Sequence, residues 1–163
     1  MSGESVFLSL GSNLGQREEN LLMAVKALRD CLRELRCSSV YETRPLYVRK
    51  QPNFLNMVVA GLCLLQPAEL LRQILSIELR MGRDRNHYIP KGPRIIDIDI
   101  LLFGEQIIKQ EKLTVPHPHL KERQFVLVPL LELEPELKDP ESGRPFSESL
   151  QKLGDQGVYI FRA

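Results

Sequence analysis

Tryptophan is absent from this 163-residue chain, and cysteine is scarce. Cys31, Cys37 and Cys63 form no C-x-x-C pair and no even-numbered framework, which excludes a disulfide scaffold and suits a reducing compartment. They are expected to be small, buried apolar groups. Long apolar runs are also missing. Val58–Leu65 and the Asp-interrupted Ile95–Phe103 fall far short of the ~20 residues that span a bilayer. The opening MSGESVFLSL lacks the basic region and apolar stretch of a signal peptide. Charge of one sign is lacking as well. With 22 Lys+Arg against 21 Asp+Glu, the net charge is +1, which argues against a general nucleic-acid or membrane-surface binder. Any positive field must be local. These absences predict a soluble, cytoplasmic protein. No G-x-x-x-x-G-K-[ST] occurs, so a P-loop kinase is excluded.

What remains is an ordinary globular composition. A length of 163 residues fits one domain, and such a chain buries roughly two-thirds of its surface without needing a metal or disulfide to fold. Val6–Leu10 is a short apolar run stopping at Gly11-Ser12-Asn13, a strand entering a loop. Leu21, Val25, Leu28, Leu32 and Leu35 then recur at helical spacing, with charges on the other faces. Cys37–Thr43 and Phe54–Leu65 read as strands, separated by a loop bracketed by Pro45 and Pro52. Pro67 to Gly82 reads as a helix and Ile95–Phe103 as a strand, with Gln106–Lys109 its hairpin partner. The order β-α-β-β-α-β is the ferredoxin-like α+β unit, an antiparallel sheet with both helices on one face. The remainder is a C-terminal elaboration: helices near Gln124–Leu133 and Phe146–Leu153, then an edge strand in QGVYIFRA. Residues 1–163 form a single domain on this reading.

The chemistry concentrates in Gly92-Pro93-Arg94-Ile95-Ile96-Asp97-Ile98-Asp99-Ile100. On a strand, residues i and i+2 share a face, so Asp97 and Asp99 project together, roughly 7 Å apart. Two like charges among Ile and Leu repel and lose hydration unless cations compensate. Two Mg²⁺ ions are the usual solution where phosphates are bound as well. The alternative is a solvated strand end or a pair with Arg94. Upstream, Arg80, Arg83, Arg85, Lys91 and Arg94 face a single acid, Asp84. Joined to a carboxylate pair, that loop suits a polyphosphate–metal complex, with guanidinium forks for phosphate oxygens. Gly11-Ser12-Asn13-Leu14-Gly15 is better read as an ordinary turn than as a phosphate cradle. His117 and His119 lack a third soft ligand for zinc; they suit a phosphate contact or an exposed turn equally. Phe54 and Phe125, flanked by polar residues, are either stacking platforms for a planar heterocycle or plain core.

Taken in order, LGSNLG, T-x-P-L, Q-P-x-F-x-N, E-x-x-x-G-R-x-R, G-P-R-x-x-D-I-D, L-T-V-P-H and R-x-F resemble the 6-hydroxymethyl-7,8-dihydropterin pyrophosphokinase family, from about Val6 to Leu137. The resemblance implies a ferredoxin-like fold. It also implies transfer of pyrophosphate from ATP to the pterin's hydroxymethyl oxygen, with release of AMP, in folate biosynthesis. Asp97 and Asp99 match two Mg²⁺ ligands, Arg83 and Arg94 catalytic phosphate contacts, and Arg85 a further basic residue of that loop. Glu78, Ile100, Lys112, Thr114 and His117 match ATP contacts. Phe54 and Phe125 match the pair that sandwiches the pterin. Asn56 matches a partner of the pterin's polar edge; Asp97 and Arg123 stand beside it, and Thr43, Arg44 and Leu46 supply loop contacts. The implied partners are these two small molecules, with no nucleic acid or membrane and a monomeric chain. Pro90 and Lys91 replace an aromatic and basic arrangement usual before the G-P-R glycine, Tyr88 lies slightly earlier, and Tyr47 stands where many members carry glycine. Rival readings are a ferredoxin-like regulatory module, an RNA-binding sheet and a two-metal nucleotide hydrolase.

Overall fold

The computed structural model describes residues 3–45, 50–83 and 93–162. Leu46, Tyr47, Arg85, Tyr88, Pro90 and Lys91 therefore lie outside the described residues. The elements run β1 (Glu4–Ser12), α1 (Arg17–Leu28), β2 (Arg33–Cys37), β3 (Val40–Thr43), β4 (Phe54–Cys63), α2 (Pro67–Arg80) and β5 (Asp97–Phe103). There follow β6 (Ile108–Lys109), β7 (Thr114–Val115), a 3-10 turn (Leu120–Glu122), α3 (Gln124–Leu133), α4 (Phe146–Gln151) and β8 (Val158–Arg162). All pairings of the main sheet are antiparallel, in the order β5-β1-β4-β3-β8, with β2 also on β4. β2 meets Val59–Leu62 of β4 and β3 meets Phe54–Asn56, so the two lie end to end along one edge. That is the ferredoxin-like strand arrangement, extended by β8.

Alternation along the strands gives the sheet two apolar faces. Val6, Leu8 and Leu10 of β1, with Leu55, Met57 and Val59 of β4 and Ile98 and Ile100 of β5, pack beneath α1 and α2. Phe7, Val58, Ala60, Leu101 and Leu102 pack beneath α3 and α4 on the reverse face. The result is three layers, helices over both sides of one sheet. A bulge at Phe7/Leu8 leaves Leu101 of β5 between the residues paired with β1, so Leu101 and Leu102 both reach the α3 side. The Leu101 carbonyl accepts the His117 N–H at 3.0 Å.

Local chemistry sets the boundaries. Helix α2 starts at Pro67, with Gln66 and Glu69 forming a reciprocal capping box. Helix α1 ends at Leu28, short of the Leu35 implied by periodicity. Leu32 and Leu35 remain packed on the same core from a turn and from β2, so burial continues after the helix stops. The single strand expected over Cys37–Thr43 is broken at Ser38, whose backbone N–H donates to Val58 O and whose hydroxyl accepts the Val58 N–H, both at 2.9 Å. Strand β5 begins at Asp97, two residues after Ile95. The expected hairpin on β5 is not formed: β6 pairs with β7 instead. Cys63 is buried, but Cys31, in the turn after α1, is half-buried, and Cys37 is exposed on β2, which occupies a sheet edge. All three are free thiols. Among the described residues, no helix is long and apolar enough to cross a membrane.

Candidate active site

The α3 layer covers only part of its face. Where it stops, the strand ends of β1, β3, β4 and β5 open into a cleft lined by Gly11, Thr43, Arg44, Phe54, Asn56, Arg94, Asp97, Asp99, Arg123 and Phe125. Register explains the gathering. Asp97 stands opposite Gly11 and Asp99 opposite Ser9, while Gly11 in turn stands opposite Asn56, and Asn56 opposite Tyr41. Residues opposite one another share a face. A Cβ at position 11 would lie 3.0 Å from Asn56 Oδ1 and 3.7 Å from the Phe54 ring, so glycine keeps this floor open. Asn56 Nδ2 donates to Thr43 Oγ1 at 2.7 Å, fixing its amide.

Asp97 receives two guanidinium groups. Arg94 Nη1 donates to Oδ2 at 3.1 Å, and Arg83 Nη1 is in contact with Oδ1. Arg83 also donates to Glu78 Oε2 at 3.0 Å and to the Ile96 carbonyl at 3.1 Å. The same Glu78 oxygen accepts the Ile98 N–H at 2.8 Å. Glu78 is 1% exposed, so it is a buried strut that holds Arg83 and β5 in register. Asp97 thus pairs with Arg94, one of the alternatives open for the D-x-D, while Asp99 shares its face in an open cleft. Arg94 also stacks over Phe54, 5.3 Å from the ring centroid, and Arg123 over Phe125 at 5.7 Å.

The ATP-matched residues are less gathered. The Ile100 side chain is buried in the opposite core. Thr114 lies on β7, and Lys112 is exposed just before it. His117 is half-buried, and its pKa is lowered to about 4, chiefly by burial, then by the positive Arg123 and His119 nearby, with Asp97 opposing. Its Nδ1 accepts the His119 N–H at 3.1 Å, which leaves Nε2 as the proton-bearing nitrogen. His119 itself bonds Glu122 at 2.7 Å, a contact that lowers the Glu122 pKa.

Asn13 is the residue that sequence reading undervalued. It is 1% exposed; its backbone N–H donates to Arg94 O at 3.1 Å and its Oδ1 accepts the Arg94 N–H at 2.8 Å. Its Nδ2 donates to Gln51 Oε1 at 2.8 Å and to Pro52 O at 3.0 Å. The turn is thus a clamp that sets Arg94 and a cleft wall. Only the asparagine inside the glycine pair signalled it.

The family model for 7,8-dihydro-6-hydroxymethylpterin-pyrophosphokinase (HPPK) matches residues 7–135. The 2-amino-4-hydroxy-6-hydroxymethyldihydropteridine pyrophosphokinase of Aquifex aeolicus is 41% identical over 144 residues, 88% of this chain and 89% of that protein. Its namesake from Pseudomonas aeruginosa is 40% identical over 157 residues, 95% of each chain. The folic acid synthesis protein fol1 of Schizosaccharomyces pombe is 43% identical over 157 residues, 95% of this chain, but the chain spans only 21% of that relative's length. Among solved structures, wild-type Plasmodium falciparum HPPK-DHPS with pteroate aligns with a TM-score of 0.73 at 17% identity, over 91% of this chain and 42% of that one, a likeness of fold. On the family match and these identities, the chain belongs to the 7,8-dihydro-6-hydroxymethylpterin-pyrophosphokinase family.

Proposed function

We propose that this chain transfers the pyrophosphoryl group of ATP to the hydroxymethyl oxygen of 6-hydroxymethyl-7,8-dihydropterin, releasing AMP, in folate biosynthesis. The observation that carries the reading is the cleft itself. It places two aromatic rings and a fixed Asn56 amide against an Asp pair flanked by arginines. Phe54 and Phe125 supply faces for a planar ring, and Asn56 and Thr43 supply polarity for its edge. On this reading Asp97 and Asp99 would face the junction between the ring's substituent and the phosphates.

The residues fit Mg²⁺. They are hard carboxylate donors that share one face of the strand and line an open cleft. Among the described residues no third His, Cys, Asp or Glu completes a closed cage. That suits an ion which keeps waters and takes phosphate oxygens as ligands. Two Mg²⁺ held by Asp97 and Asp99 would supply charge neutralisation and polarise the attacking alcohol. The chain's own part is positioning. Phe54, Phe125 and Asn56 orient the acceptor, and Arg94 presents positive charge beside the carboxylates to charge growing on the phosphates. Arg83, held by Glu78, keeps Asp97 aimed into the cleft. Among the described residues, His117 is not set up as a base, since its Nδ1 is engaged by the His119 N–H.

The test is AMP formation from ATP and Mg²⁺ with and without the pterin, AMP and ADP being separated by chromatography. Pterin-dependent AMP that disappears in Asp97→Ala is expected. ADP, or pterin-independent hydrolysis, would instead indicate a nucleotide hydrolase. Omitting Mg²⁺ should abolish turnover as well.

A further inference from the structure

We infer that the C-terminal segment 154–162, beyond the residues matched by the family model, is a strap that sets the spacing of the cleft's two walls, with Gln156 a positioning residue for the Arg123–Phe125 wall. This rests on the pterin reading of the cleft. One wall is carried by the start of α3. The first N–H groups of a helix have no partner within it. The N-cap residue of α3 is Arg123, whose side chain makes no capping hydrogen bond. Gln156 supplies the missing acceptor from 32 residues away: its Oε1 accepts the Gln124 N–H at 2.8 Å. In return the Gln156 N–H donates to Gln124 Oε1 at 2.9 Å, and Gln156 Nε2 donates to the Glu122 carbonyl at 3.0 Å. Gln124 lies between Arg123 and Phe125, the two cleft residues of that wall. Holding the Glu122 carbonyl and the Gln124 N–H, the backbone groups on either side of Arg123, fixes where Arg123 points and where the first turn of α3, with Phe125, begins.

The next residue holds the other wall. Gly157 is buried with φ +74, and a Cβ there would come within 2.8 Å of Arg44 Nε. The Arg44 guanidinium lies against this glycine and donates from Nη2 to Tyr159 Oη at 3.4 Å. Val158 then pairs with Thr43 as β8 joins β3. Two consecutive residues thus hold opposite sides of the cleft, Gln156 the Arg123–Phe125 side and Gly157 the Thr43–Arg44 side. Their Cα atoms are held about 3.8 Å apart by covalent geometry. The left-handed backbone at Gly157 is the turn that lets one strand reach both, a conformation that any side chain strains.

Gln156→Ala removes both side-chain bonds and leaves the cleft's own side chains in place. The expected result is a KM for the pterin raised about five-fold, the size of one lost helix cap, with KM for ATP and kcat at saturation within about two-fold. Gly157→Ala, which displaces Arg44 from the other side, should give the same pterin-selective shift. Gln156→Glu, which keeps the acceptor for the Gln124 N–H, should recover part of it. Equal shifts in both KM values, or lower thermal stability with an unchanged pterin KM, would overturn the strap. Should the alanine variant not fold, the Gly157→Ala and Gln156→Glu constants decide by the same criteria. Direct pterin binding, followed by the ligand's fluorescence, separates the two levels of failure. An unmodified chain that neither binds pterin nor forms AMP refutes the proposed function and the strap with it. An active chain indifferent to Gln156 refutes only the strap.

Discussion

The two faces of the sheet are built from the same strands, yet one is closed and the other open at its end. Beneath α1 and α2, Ile98 and Ile100 of β5 join a continuous core with Leu8, Leu10, Ile74 and Ile77. On the reverse face, the residues between and before them, Asp97 and Asp99, border the cleft. The difference is one of coverage as well as composition. Helix α3 starts at Gln124, over the point where Leu101, Leu102 and Val58 give way to Asp97, Asn56 and Phe54. Stability is thus held on one side of β5 and chemistry displayed on the other. Alternation at a period of two lets one short strand do both.

Arg83 bridges the two sides, and its loss should have the largest effect. Its guanidinium joins the buried Glu78 to Asp97, and Arg83→Ala strands the Glu78 carboxylate in the core. Breaking a buried pair from one side typically costs about 3–5 kcal/mol, and urea denaturation should register a loss of that order. Turnover should fall with it, because Asp97 loses one of its anchors. Adding Glu78→Gln should return part of the stability but not the activity. A double variant no more stable than the single one would show that the strut is not what links the faces.

Substitutions one residue apart on β5 sharpen the contrast. Ile98→Ala opens a cavity in the closed face and is expected to cost about 2–4 kcal/mol, with kcat per folded molecule retained. Asp99→Ala should leave the unfolding midpoint nearly unchanged and lower kcat about a hundred- to a thousand-fold. If Asp99→Ala unfolds the protein, or Ile98→Ala abolishes turnover of the folded chain, the division of labour along the strand is wrong.

Much of this was legible in the sequence because the strands carry their own phase. The D-I-D-I alternation in β5 places the acids on one face, and Pro67 with the helical spacing that ends at Gly82 locates α2. What was not legible depended on contacts distant in sequence. Leu32 and Leu35 satisfy helical spacing while belonging to a turn and a strand, since a core accepts a leucine from either. The bulge that turns both Leu101 and Leu102 toward α3 has no residue signature. Asn13 and Gln156 look like polar turn residues until their partners, Arg94 and Gln124, are brought beside them by the fold.

The smallest expected effect tests the open face through its electrostatics. Burial, the positive groups Arg123 and His119, and the opposing Asp97 together hold the His117 pKa at about 4, below its ordinary value of 6.5. Because the folded pKa is the lower one, the unfolded chain binds a proton that the folded chain refuses between those two values. This contribution to stability is therefore full above about pH 6.5, declines as pH falls to about 4, and changes no further below that. His117→Gln carries no such proton. Comparing urea midpoints of the two proteins at pH 7 and pH 4.5, the unmodified chain should lose more on acidification than the variant. The closed face offers a matched control, since Leu28→Ala removes a fully buried side chain and no titrating group. It should lower both midpoints and leave the pH-dependent difference intact. Parallel pH profiles for His117→Gln and the unmodified chain would mean that His117 titrates as it does in water, and that its surroundings are solvated.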